Sequence, residues 1–132
     1  MSAAVHVAPR PCNTCPYVTT TPAGVWHPDE YDNLPRYDTN ESLGLFLCHQ
    51  SAATGVPTAC RGWLSVHQES AAARLGVLAG AITEEQRYAP SLVPLYGSGR
   101  EARDAGMEGV DAPDGRALAA IDRLVRRGVG HP

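Results

Sequence analysis

Pro11-Cys12-Asn13-Thr14-Cys15-Pro16, followed by Cys48-His49 and by Cys60-Arg61-Gly62-Trp63, is the part of this sequence on which its fold turns. The four cysteines are spaced C-x2-C-x32-C-x11-C, and no other chemical pattern in the chain competes with them. A two-residue spacer keeps two sulfurs near enough to share one tetrahedral ion and turns nearby backbone N–H groups toward them. Half a site is therefore preformed locally. The rest must come from afar: Cys48 at the end of the apolar run Leu43–His49, expected as a short strand, and Cys60 at a helix start, where the dipole favours a thiolate.

The expectation is a four-thiolate centre of Cys12, Cys15, Cys48 and Cys60. Zinc leads, and an iron–sulfur cluster is the alternative, since four thiolates serve either. An ion held by ligands this far apart in sequence would staple a small, loop-rich domain. His49 follows Cys48 directly, so on a strand it points to the opposite face. His67 lies two helical turns beyond Cys60. Both are expected as hydrogen-bonding groups behind the sulfurs rather than as ligands.

Outward from this pattern, 132 residues and 14.0 kDa make a single domain. Six of the eight aromatic residues fall between Tyr17 and Trp63, alongside the cysteines, so the best-ordered core belongs to the first half. The expected organisation is a flexible lead-in over 1–10 and one metal-stabilised domain over 11–128. Its cysteine and aromatic half covers 11–80 and its helical half 81–128. The fold class is α+β: a small, mainly helical domain with a short strand and a loop-rich, four-cysteine metal-binding N-terminal half.

Within it, a short helix over 27–34 ends at Pro35 and turns Trp26, Tyr31 and Leu34 inward, and 50–59 is a loop. Helical spacing runs from Cys60 to about Leu78. Thr83-Glu84-Glu85-Gln86 and Ser98-Gly99-Arg100-Glu101 match the reciprocal capping pattern, so a helix should follow each. A last helix follows Asp111-Ala112-Pro113, with Arg123, Arg126 and Arg127 near its end and Gly128 beyond.

With 11 Arg, no Lys and 14 acidic residues, the formal charge is -3, which disfavours non-specific nucleic-acid capture without excluding it. The missing lysines rule out a Schiff base and a phosphate-loop lysine. No apolar stretch reaches bilayer length and the first ten residues carry no leader pattern, so the expected address is the cytoplasm, with no membrane. There, four cysteines are better explained as metal ligands or redox groups than as disulfides.

Pro11-Cys12-x-x-Cys15-Pro16-Tyr17, Ala23-Gly24-Val25-Trp26, Phe46-x-Cys48-His49-Gln50, Cys60-x-Gly62-Trp63 and Tyr96-Gly97-Ser98-Gly99 together resemble a family of small, uncharacterised cysteine-motif proteins of GC-rich Gram-positive bacteria and their phages. The resemblance implies a presumed metal-binding cysteine set and supplies no reaction.

Rival chemistries fit less well. A thioredoxin-like dithiol needs a helix after its first cysteine, and Pro16 with the threonines after it do not provide one. An open catalytic metal would need a base, and Asp29, Glu30, Asp32 and Asp38 read instead as acids of a helical first turn and a turn aspartate. No serine sits in a nucleophile elbow. No catalytic residue is expected. The expected function is a metal-stabilised binding or adaptor module with a protein partner, possible modulation of a host protein following from the phage resemblance. An iron–sulfur or thiol-redox protein using the same cysteines is the alternative.

Overall fold

A computed structural model describes residues 5–48 and 51–128. His49 lies outside the described residues. The chain is mainly helical with one short parallel sheet, consistent with the α+β class. Among the described residues no helix is long and apolar enough to cross a membrane.

The sheet forms where no periodicity announces it. Strand β1 (His6–Val7) lies parallel to β2 (Thr58–Ala59), pairing His6 with Thr58 and Val7 with Ala59. Val5 N–H donates to Ala81 O at 2.8 Å, and Val7 is buried. The segment expected as a flexible lead-in thus contributes a strand and a core side chain.

The strand expected over Leu43–His49 shrinks to one antiparallel bridge, Leu47 to Ala59. Burial explains the loss. Among the described residues of that run only Phe46 is buried, while Leu43 and Leu47 remain exposed, so an apolar composition had no second layer to cover it. What survives is a two-arm pairing in which Cys48 N–H donates to Thr58 O (2.6 Å) and Cys60 N–H to Phe46 O (2.9 Å). Between the arms, the expected loop holds a single helical turn, α2 (Ser51–Thr54), before β2.

Helix α1 (Pro28–Asn33) starts as its sequence demands: His27 caps it by accepting from Asp29 N–H, Pro28 takes the first position, and Asp29 and Glu30 face the positive end of the dipole. Pro35 does not end the chain's curl. It sits in the first turn of a 3₁₀ helix over Leu34–Asp38. Trp26, Tyr31 and Leu34 are buried as expected.

The single helix expected over 60–78 is two, α3 (Arg61–Val66) and α4 (Ala71–Leu78). The break is at His67, whose backbone leaves the helix (φ -115°, ψ 38°). Its ring is held from the outside: Nε2 lies 2.8 Å from Asp38 Oδ1, and Nδ1 3.0 Å from Trp63 O. Ser70 then caps α4 by accepting from Ala73 N–H. Helix α5 (Glu84–Tyr88) carries the full capping box between Thr83 and Gln86. Helix α6 (Gly99–Met107) is capped by Ser98, while Glu101 reaches back past it to Gly97 N–H (2.9 Å). Helix α7 (Gly115–Arg126) is capped by Asp114, three residues after the expected signal.

The core gathers around Trp63, fully buried at 0% exposure. Phe46 stacks on it at 6.5 Å and His67 at 5.8 Å, and Tyr37 meets it edge-on at 6.0 Å. Tyr17 adds edge contacts to Phe46 and His67. Each such pair contributes ~0.5–1.5 kcal/mol beyond its buried area. This cluster is the floor on which the cysteines sit.

Candidate metal centre

The knuckle Pro11–Tyr17 makes no regular structure, yet every turn of it is tied. Cys15 N–H donates to Cys12 O and Val18 N–H to Cys15 O, both at 3.1 Å. Thr21 Oγ1 donates to Cys15 O at 2.8 Å, and Trp26 Nε1 donates to Thr14 O at 2.7 Å. The threonine-rich stretch and the tryptophan thus fix the loop that carries the first two sulfurs. Cys48 and Cys60 come from the two paired arms, so the β contacts set the second two.

The structure shows two thiol pairs, each formed across the chain. Cys15 Sγ and Cys60 Sγ are 3.7 Å apart and buried. Cys48 hydrogen-bonds the Cys12 sulfur, and both are half-buried. All four are free thiols. Neither partnership lies within the C-x2-C turn. A disulfide needs ~2.05 Å between sulfurs, whereas bonds of ~2.3 Å to a tetrahedral ion set the sulfurs about 3.8 Å apart. The Cys15–Cys60 separation matches the second figure, and it is also an ordinary contact for a thiol hydrogen bond. Among the described residues no group of three or more His, Cys, Asp or Glu side chains is arranged to hold a metal ion.

Backbone donors converge on three of the sulfurs. Cys60 Sγ accepts from Trp63 N–H at 3.4 Å, as the cap of α3. Thr14 N–H serves Cys12 and Tyr17 N–H serves Cys15. Such bonds favour the charged form of sulfur. The hydrogen bond from Cys48 brings the Cys12 thiol down from 9.0 to about 6, against burial and with help from the Thr14 hydroxyl and backbone. Cys15 goes the other way. Its hydrogen bond to Cys60, its burial and the charges of Cys60 and Cys12 push it well above its ordinary 9.0. Opposite shifts are what crowding imposes, because adjacent sulfurs cannot all ionise without a cation among them.

Two residues that the spacing of the cysteines does not single out complete the surroundings. Arg61 is 2% exposed. Its Nε donates to Ser65 Oγ (3.0 Å) and its Nη1 to Gln86 O (2.6 Å), both neutral acceptors. Its Nη2 is buried with no hydrogen-bond partner among the described residues. Burial lowers its pKa, and its nearness to Cys60 works in the opposite direction. A basic residue in the first turn opposes the helix dipole, and that anomaly was the available signal. Gly62 is the second. A Cβ there would lie 2.6 Å from Cys15 Sγ, 3.2 Å from Tyr17 Cβ and 3.8 Å from Cys60 Sγ, so only glycine lets α3 approach the sulfurs this closely.

The histidines are placed differently. His67 contacts no sulfur; it reaches the centre through the Tyr17 ring at 5.8 Å and anchors Asp38. Asp38 is more than a turn aspartate. Burial works against its charge, but His67 and the N–H groups of Gly99 (2.6 Å) and Arg100 (2.9 Å) outweigh that and lower its pKa. It thereby joins the core to the start of α6. Asp29, Glu30 and Asp32 lie on α1, where Asp29 meets His27 and Asp32 meets Arg103.

Half of the centre is open. Cys12 and Cys48 line a cavity of about 470 Å³ whose wall includes His6 and α2, while Cys15 and Cys60 lie behind them in the core. No curated protein and no solved structure matches the chain. One family does, over residues 7–126, a span that takes in all four cysteines, Arg61, Gly62 and α7. The chain belongs to this family, which is described as a family of unknown function (DUF6283).

Proposed function

We propose that Cys12, Cys15, Cys48 and Cys60 bind one zinc ion, and that the protein is a metal-stabilised binding module rather than an enzyme. The observation that carries this reading is two thiol pairs, Cys15 with Cys60 and Cys12 with Cys48, that link three separate parts of the chain, with backbone N–H donors on three of the sulfurs. A dication resolves two conflicts at once. It allows all four crowded sulfurs to be thiolates, and the resulting dianionic ZnS4 unit supplies Arg61 with the negative partner that its neutral acceptors do not. Four thiolates fill a tetrahedral shell, which leaves no position for substrate and argues for a structural role. The partner is a protein, and the resemblance to phage-linked sequences is the ground for seeking it in a host cell.

Elemental analysis of anaerobically purified protein, with thiols counted before and after chelation, tests the reading. One zinc per chain and four thiols that react only once the metal is removed are expected. Iron with visible absorption would establish the cluster instead, and metal-free protein with four reactive thiols would refute both.

A further inference from the structure

We infer that the groove between the cysteine knuckle and α7 binds an acidic, extended segment of a partner protein. Two adjoining hollows, of about 500 and 350 Å³, run along this seam and share Cys12, Ala120 and Arg123. Arg116, Ala120 and Arg123 follow one another at helical spacing, so a single face of α7 presents two guanidinium groups over a small-residue floor. Arg10 adds a third from the opposite wall. Arg116 is held in place by its bond to Thr20 O at 3.2 Å. Arg126 is turned away and paired with Asp122 at 3.1 Å.

Charge complementarity selects the occupant. None of the described side chains lining either hollow is acidic, although the whole chain carries a net charge of -3. A local basic seam on an acidic protein steers a short acidic segment without gathering long polyanions. The cations are strung out rather than convergent: from Arg116 to Arg123 the helix rises about 10 Å, the length of roughly three residues of extended chain, and Arg10 stands on the opposite wall. A single phosphate or carboxylate would use only one or two of them. Single-stranded nucleic acid would need flat rings to stack on, and no aromatic side chain lines the seam among the described residues.

The inference names the partner chemistry of the module proposed above, and it rests on that reading only for the stiffness of the knuckle wall. Fluorescence anisotropy with a labelled peptide of alternating Glu and Asp tests it on the full-length protein, beside a labelled oligothymidylate. Zinc content and circular dichroism are recorded on the same samples. The acidic peptide should bind, weaken about tenfold between low and moderately high salt, and weaken at least as much in the double variant Arg116→Gln, Arg123→Gln. Arg74→Gln, which removes one positive charge from α4 away from the seam, should leave binding unchanged, and either single variant, Arg116→Gln or Arg123→Gln, should weaken it. Absence of peptide binding at low salt, equal loss in the Arg74 variant, or tighter binding of the oligonucleotide would overturn the proposal. Binding that survives in protein shown to hold no metal would leave the groove standing and remove the zinc reading.

Discussion

Replacing Gly62 by Ala puts a methyl group where the metal reading allows none. Its carbon would stand 2.6 Å from Cys15 Sγ, about 1 Å inside van der Waals contact. If the sulfur is free to turn, the variant loses little. Overpacking costs ~1–3 kcal/mol, and alanine returns ~1 kcal/mol of helix propensity. If the sulfur is bonded to zinc, it cannot move by 1 Å, because coordination bonds tolerate only about 0.2 Å. The full clash then falls on the centre. Zinc affinity should drop roughly 10- to 100-fold, on the scale of 1.4 kcal/mol for each tenfold. Competition with a chromophoric chelator measures this, and thermal melts with zinc and with chelator should show the larger loss when zinc is present. Gly76→Ala is the control. Its Cβ would crowd Leu45 Cδ2 at 3.2 Å and Ile82 Cγ1 at 3.3 Å, away from the sulfurs, and should cost the same under both conditions. Equal cost of Gly62→Ala with and without zinc, at unchanged affinity, would refute the reasoning.

Arg61→Met removes a buried charge of similar length. It should weaken zinc by roughly tenfold, because the positive group offsets the charge of the sulfur centre, yet leave the metal-free protein as stable or more so; the same competition and melts decide. Asp38→Ala should cost ~2–4 kcal/mol in urea unfolding, from the lost bonds to His67, Gly99 and Arg100. Because the folded-state pKa of Asp38 lies below its ordinary 3.8, this contribution is fully present above that value and fades as pH falls through the folded one. The gap between wild type and variant should therefore close below about pH 3.8, and a gap constant down to pH 2 would show that the charge is not its source. Thr83→Ala breaks one half of the capping box and should cost about 1 kcal/mol by the same unfolding, with zinc binding untouched.

What the sequence made legible is what local chemistry decides. Thr83 and Ser98 announce their helices because a side chain and a backbone donor three residues apart settle the matter between themselves. The aromatic half declared the core for a similar reason: rings as large as Trp63 and Tyr31 have nowhere else to go. The break between α3 and α4 was hidden because its cause, Asp38 holding His67, lies 29 residues away along the chain. Strand β1 was hidden for the same reason, since two residues with no pattern of their own become a strand only by lying beside Thr58 and Ala59. The cysteine spacing marked the four thiols but not how they pair. That pairing, Cys15 with Cys60 and Cys12 with Cys48, follows from knuckle and arms packing face to face.

X-ray absorption at the zinc edge of the purified protein looks most directly at the proposed centre. Four sulfur scatterers at ~2.3 Å, with none lighter, are predicted. A shell containing nitrogen or oxygen in place of any sulfur, or no bound zinc to measure, would contradict it.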